Sequence, residues 1–165
     1  MDAHMVLETL DRELIDALDV ALADLTDEQI SFSALVIDQR SIRDVAVHAY
    51  RTVLVVAATV AGQPYPPRDP LPETAAGLAS LLWSMQGRIA AWRETTTSEM
   101  LAAPLRMPWD YERPTGMDAL INTYAHGLIH AGTMLGIRAV GGFPTPWEEP
   151  KPNRGAVIGA TSAKA

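Results

Sequence analysis

The chain is organised around the stretch Tyr124-Ala125-His126-Gly127-Leu128-Ile129-His130. It places two histidines four residues apart inside a helical segment. Side chains at positions i and i+4 of a helix lie one above the other, with Cβ atoms about 5–6 Å apart. Two imidazoles at this spacing can bind one metal ion, but two ligands do not complete a site. The remaining ligands are therefore expected from a helix that packs against this one.

Composition restricts the classes of protein and of site. A chain of 165 residues fits one domain with a full core. A formal charge of −7 without a basic run disfavours nucleic acid as a partner, since such binding depends on Lys and Arg. Because cysteine is absent, disulfides and thiolate ligands are excluded, and a metal would use imidazole, carboxylate or water. No signal peptide and no membrane span are predicted, so a cytoplasmic location is expected.

Apolar residues at helical spacing predict four long helices, over about 5–25, 41–61, 72–95 and 115–140. A strand over 52–56 is the main alternative within the second helix, because β-branched residues are frequent there, but the length favours a helix. No other stretch predicts a strand. The segment 26–40 is predicted to be a connection with one helical turn, and the connections 63–72 and 104–114 are predicted to be irregular. The predicted fold is therefore all-α, a four-helix bundle, in which sites are built from side chains on facing helices.

One domain is predicted over 1–149, with a loosely attached or disordered tail over 150–165. The tail is rich in Gly, Ala, Ser and Lys and has no hydrophobic period. No internal repeat and no linker between domains are found.

His48 is the candidate for a third metal ligand, because it lies inside the second predicted helix. Asp44 at i−4 and Arg51 at i+3 make its face of the helix polar, and buried polar groups need partners. A core histidine with an ordinary hydrogen bond is the alternative interpretation. Asp44 either accepts the second N–H of His48, as metal-bound imidazoles usually require, or caps the helix.

Polar residues surround the histidine pair on the fourth predicted helix. Asn122 and Thr133 lie on the same face as His126 and His130, and residues 121–137 carry no charged side chain. Together with Arg51, Asn122 and Thr133 are candidates for the lining of a pocket. Candidates for its rim are Trp83, Gln86 and Trp109, although a place in the hydrophobic core is the preferred interpretation of Trp83.

These motifs resemble the DinB family, within the wider DinB/YfiT-like group of metalloenzymes. The resemblance covers about residues 24–147 and rests on residues 41–48, 126–133 and 142–144. It implies an up-down-down-up four-helix bundle and a homodimer, with a divalent metal bound by His48, His126 and His130. Two features depart from it, namely Gly127, whose helix propensity is poor, and the unusually proline-rich loop 64–72.

The resemblance also implies a function. In related proteins of the group, the metal activates a low-molecular-weight thiol such as mycothiol or bacillithiol. The first hypothesis is therefore a metal-dependent S-transferase that acts on a small molecule and uses zinc or nickel. Hydrolysis by metal-bound water ranks lower, because Asp44 is the one candidate for a second acid/base group. Two further hypotheses are a non-catalytic, stress-related dimer that binds a metal or a ligand, and a bundle without a metal.

Overall fold

The computed structural model describes residues 2–107 and 111–144, which form five helices and four short strands. The helices are α1 (Ala3–Leu22), α2 (Ile42–Val60), α3 (Ala75–Thr95), α4 (Ser98–Ala102) and α5 (Gly116–Gly141). The strands are β1 (Ser33–Ala34), β2 (Asp38–Ser41), β3 (Leu105–Met107) and β4 (Tyr111–Arg113). The prediction of a mainly helical chain is confirmed. The predicted tail over 150–165 lies outside the described residues.

Two antiparallel hairpins occupy connections that were predicted to lack strands. Strand β1 pairs with β2, and β3 pairs with β4 through opposed residues such as Met107 and Tyr111. The expectation that no strand is present was wrong at these two places. Strands of two to four residues are too short to produce a measurable alternation of apolar and polar side chains.

Capping side chains set the ends of the helices that carry the histidines. The Ser41 side chain accepts the backbone N–H of Asp44, and the Asp44 carboxylate accepts the backbone N–H of Ser41, which forms a capping box before α2. Thr115 caps the start of α5, and Gly142 ends it in the left-handed conformation with φ +67°. The second and fourth predicted helices are thus confirmed to within about two residues.

Helix α2 is the central element of the core. It packs against both α3 and α5, and α1 packs against α5. Its buried side chains include Val45, Val53 and Leu54, each 0% exposed. Because α2 is buried on most sides, its apolar positions are nearly continuous. Residues 52–56 belong to this helix, so the alternative of a strand there was wrong.

A buried carboxylate connects the four long helices. Asp11 of α1 accepts hydrogen bonds from the hydroxyls of Tyr50 on α2, at 2.7 Å, and Tyr124 on α5, at 3.3 Å. A guanidinium nitrogen of Arg93 on α3 lies 3.6 Å from the other Asp11 oxygen. Burial, together with the charge of Asp11, raises the pKa of both tyrosine hydroxyls above the usual range. Both hydroxyls therefore remain protonated donors to Asp11.

The length and apolar character of the helices determine whether they could cross a bilayer. Within the described ranges, none of them combines sufficient length with sufficient apolar character to span a membrane.

Candidate metal centre

The side chains of His48, His126 and His130 meet between α2 and α5. The Nε2 atoms of His126 and His48 are 3.4 Å apart, and those of His130 and His126 are 3.1 Å apart. Imidazole nitrogens bound to zinc at about 2.0–2.1 Å in a tetrahedron lie about 3.3 Å from one another. These two separations fit nitrogen ligands of one ion, and the ligand atoms of all three histidines lie within 4.8 Å of one another.

Helix geometry and helix packing together produce this convergence. His126 and His130 are one turn apart on α5, so their rings point to the same side. Helix α2 packs against that side and contributes His48 from its second turn. His130 is 8% exposed, whereas His48 is exposed and His126 is partly exposed. The histidine cluster is consequently closed at its inner end and open towards solvent at its outer end.

Burial keeps the imidazoles of His130 and His48 neutral near pH 7. Burial is the main cause that lowers the pKa of His130 to about 4, and the neighbouring His126 and His48 lower it further. Burial is also the main cause that lowers the pKa of His48, with the charge of Arg40 second. A metal ion binds the neutral imidazole, so protons compete weakly for these two ligands at neutral pH.

Metal-bound imidazoles are usually oriented by a hydrogen bond at their second ring nitrogen, and this set of hydrogen bonds is incomplete among the described residues. The Nδ1 atom of His130 is buried and has no hydrogen-bond partner among the described residues. Asp44, the candidate partner of His48, instead accepts the N–H and the hydroxyl of Ser41. Asp44 was predicted either to accept the second N–H of His48 or to cap the helix, and the structure shows the cap.

Asp38 and Arg40 of β2 form an ion pair whose charges act on the cluster, although the sequence did not indicate it. The Asp38 carboxylate accepts hydrogen bonds from the backbone N–H of Arg40 at 2.8 Å and from its guanidinium at 2.8 and 3.1 Å. These bonds lower the pKa of Asp38 to about 2. A carboxylate of such low pKa is a poor general base near neutral pH.

A cavity of about 500 Å³ adjoins His48 and His126. Its walls include two of the predicted pocket residues, Arg51 and Asn122. The third, Thr133, lies outside its walls, and the Thr133 hydroxyl donates a hydrogen bond to the backbone carbonyl of Ile129 at 3.1 Å.

Three further wall residues come from connections between helices. Tyr65 and Arg68 belong to the proline-rich connection after α2, and Tyr111 belongs to β4. Helical periodicity could not indicate them, because they lie outside helices. A usable signal was their position near several prolines, whose fixed φ angles restrict the path of the chain.

Two of the rim residues expected from helical phase, Trp83 and Gln86, do not line this cavity. Trp83 is 54% exposed and lines a separate cavity between α1 and α3. Gln86 does not line the cavity beside His48 and His126. Trp109 lies outside the described residues.

Comparison with models of known protein families and with curated proteins found no match. The resemblance to the DinB family therefore remains a prediction from the sequence motifs. The case for a metal centre depends on the convergence of the three imidazoles and on the lowered pKa of His48 and His130.

Proposed function

We propose that this protein binds one divalent transition metal ion through His48, His126 and His130 and is a metal-dependent enzyme. The observation that supports the proposal is the separation of 3.1 and 3.4 Å between neighbouring Nε2 atoms. Three nitrogen ligands suit zinc or nickel and leave a coordination position open, as in catalytic zinc sites. When bound, such an ion lowers the pKa of a coordinated thiol or water, or polarises a carbonyl.

We propose a four-helix bundle of the DinB/YfiT-like, up-down-down-up kind, formed by α1, α2, α3 and α5. The packing of α2 against α3 and α5, and of α1 against α5, supports it. The homodimer and the cytoplasmic location remain predictions from the resemblance and from the sequence. Sedimentation velocity tests the dimer, since a single species with the mass of one chain would contradict it.

The reaction class that we prefer is thiol S-transfer with a low-molecular-weight thiol such as mycothiol or bacillithiol. The guanidinium groups of Arg51 and Arg68 line the cavity, and its described walls contain no carboxylate. Positive charge of this kind favours a thiolate over the neutral thiol. In this proposal the histidines hold the ion, the arginines stabilise an anionic substrate, and the rings of Tyr65 and Tyr111 contact its apolar part.

Hydrolysis ranks lower because the carboxylates identified near the histidines are already engaged. Asp38 is bound to Arg40, and Asp44 is bound to Ser41 in the helix cap. The same observation favours the second candidate function, a non-catalytic and stress-related protein that binds a metal or a ligand. Without a general acid or base, a centre of this kind can bind a ligand without converting it.

Metal analysis tests the proposal directly. The protein is incubated with zinc, passed through a desalting column, and analysed by inductively coupled plasma mass spectrometry. We expect about one equivalent per chain in the wild type and less than about 0.2 in His126→Ala. His4→Ala is the matched control, because His4 lies on α1 and is outside the cluster. Equal metal content in all three folded proteins, or none in the wild type, would overturn the proposal.

Enzyme and binder are distinguished by turnover. The zinc-loaded protein is incubated with mycothiol or bacillithiol and a panel of electrophiles, and loss of free thiol is followed. We expect consumption of the thiol that is lost in His126→Ala. Full metal content without turnover across the panel would instead support the non-catalytic binder.

A further inference from the structure

The cavity beside the histidines is positively charged although the whole chain is acidic. The chain has a formal charge of −7, yet the charged side chains that line the cavity are Arg51 and Arg68. Its described walls include no Asp and no Glu. A concave site lined by one sign of charge raises the local concentration of ligands of the opposite sign. The cavity therefore favours anions.

Arg51 is a cation held in a defined position. Its guanidinium donates hydrogen bonds to the carbonyls of Pro67, at 2.8 Å, and Pro66, at 3.1 Å. The guanidinium carbon lies 5.9 Å from the ring centre of Tyr65. Carbonyl groups and an aromatic ring orient a guanidinium without neutralising it, so the positive charge remains at the cavity wall.

Arg68 offers its donors to a ligand. Its side chain is exposed and forms no hydrogen bond or ion pair with another described residue. Two nearby acids have other contacts, because Asp69 lies 3.7 Å from Arg88 in an ion pair without a hydrogen bond and Asp44 belongs to the helix cap. A guanidinium carries five N–H donors in a planar fork, and those of Arg68 remain available at the edge of the cavity.

The remaining walls of the cavity are mainly apolar or aromatic. Tyr65, which is 55% exposed, and Tyr111 contribute aromatic rings, whereas Val55 and Val56 add little surface because they are 3% and 1% exposed. The polar wall residues are Thr52, Asn122 and Thr123. A volume of about 500 Å³ lies within the range of small-molecule sites. A cavity with apolar walls and a cationic edge suits a molecule with an apolar body and one anionic end.

We propose that the cavity binds a small organic carboxylate, with its carboxylate group on Arg68 and its apolar body along the rings of Tyr65 and Tyr111. A planar carboxylate matches the guanidinium fork through two parallel hydrogen bonds. The ligand would then lie beside His48 and His126, which line the same cavity. This inference rests on the proposed function and deepens it, because it names a carboxylate-bearing molecule as the substrate class of the metal centre.

Calorimetric titration of the zinc-loaded protein with 4-phenylbutyrate tests the inference, and the neutral amide 4-phenylbutyramide serves as the control ligand. We expect Arg68→Gln to weaken binding of the carboxylate by about 10-fold and to leave the weak binding of the amide unchanged. Arg68→Lys should weaken it less, since the charge remains and the fork is lost. Arg12→Gln is the control variant, because Arg12 is an exposed arginine on α1, outside the cavity.

Zinc content is measured on the same preparations, so that two failures can be told apart. Normal zinc binding with no affinity for the carboxylate, or with equal affinity in wild type and Arg68→Gln, would overturn the inference and leave the proposed function intact. Absence of zinc binding would overturn the proposed function. Because Arg68 is not a proposed zinc ligand, titration of the metal-free protein would still test the carboxylate site. Affinity that is lost in His126→Ala but kept in Arg68→Gln would show that the carboxylate binds the metal instead, which also overturns the inference. Tighter binding of phenyl phosphate than of the carboxylate would overturn it in favour of a phosphate site.

Discussion

A Cβ atom placed on Gly127 would lie 2.9 Å from one Cδ atom of Leu14 and 3.0 Å from the other. Leu14 of α1 is 0% exposed, so its side chain has little room to move. The glycine that follows His126 therefore permits the close approach of α1 to the helix that carries two of the histidines. This contact explains why a residue of poor helix propensity stands in the middle of α5.

The first prediction concerns this contact. Gly127→Ala should lower the free energy of unfolding by up to about 2 kcal/mol, because overpacking in a core costs about 1–3 kcal/mol and the gain in helix propensity offsets up to about 1 kcal/mol of this. Urea denaturation measures the change. Gly132→Ala is the control on the same helix, since Gly132 is exposed and a Cβ there would contact nothing within 4 Å. It should be stabilising by up to about 1 kcal/mol, and stabilisation by both variants would contradict the close helix contact.

The second prediction concerns the buried carboxylate of Asp11. Asp11→Asn should lower the free energy of unfolding by about 2 kcal/mol, because the hydroxyls of Tyr50 and Tyr124 lose a charged acceptor. The guanidinium of Arg93 also loses its ion partner. Asp16→Asn changes an exposed carboxylate on the same helix and should alter stability by less than about 0.5 kcal/mol. Equal effects of the two substitutions in chemical denaturation would exclude a stabilising role for the Asp11 network.

The third prediction concerns the effect of metal on stability. A ligand that binds the folded state alone at 100 times its dissociation constant adds about 2.7 kcal/mol to the free energy of unfolding. Zinc should therefore raise the thermal midpoint of the wild type, and a chelator should reverse the shift. His130→Ala should show no zinc-dependent shift, whereas His4→Ala should behave as wild type. An unchanged midpoint in wild type at saturating zinc would contradict a site preformed by folding.

The fourth prediction concerns pH and the Asp38–Arg40 ion pair. Hydrogen bonds from Arg40 lower the pKa of Asp38 from the ordinary 3.8 to about 2 in the folded protein. A lowered pKa in the folded state means that the pair contributes stability above about pH 4, and that this contribution is lost as the pH falls towards 2. The difference in unfolding free energy between wild type and Asp38→Asn should therefore be constant above pH 5 and should shrink below pH 4. A difference independent of pH from 2 to 6 would show that the ion pair does not lower the pKa.

Much of the helical framework could be predicted because its signals are local in the chain. The capping box of Ser41 and Asp44 and the glycine at 142 mark helix ends within one turn of sequence. The spacing of His126 and His130 places them on one side of a helix regardless of the rest of the fold. His48 could be chosen as their partner because it is the remaining histidine in the interior of a predicted helix.

Beyond Arg51 and Asn122, which helical phase had placed in the pocket, the tertiary structure decided what surrounds the three histidines. Tyr65, Arg68 and Tyr111 reach the cavity from connections whose paths depend on long-range packing, so helical phase does not place them. Burial of Asp11 depends on hydroxyl groups that two other helices bring to it. Periodicity is a property of neighbouring residues and determines which face a side chain occupies. Which faces meet, and what charge the cavity between them carries, depends on contacts between residues far apart in the chain.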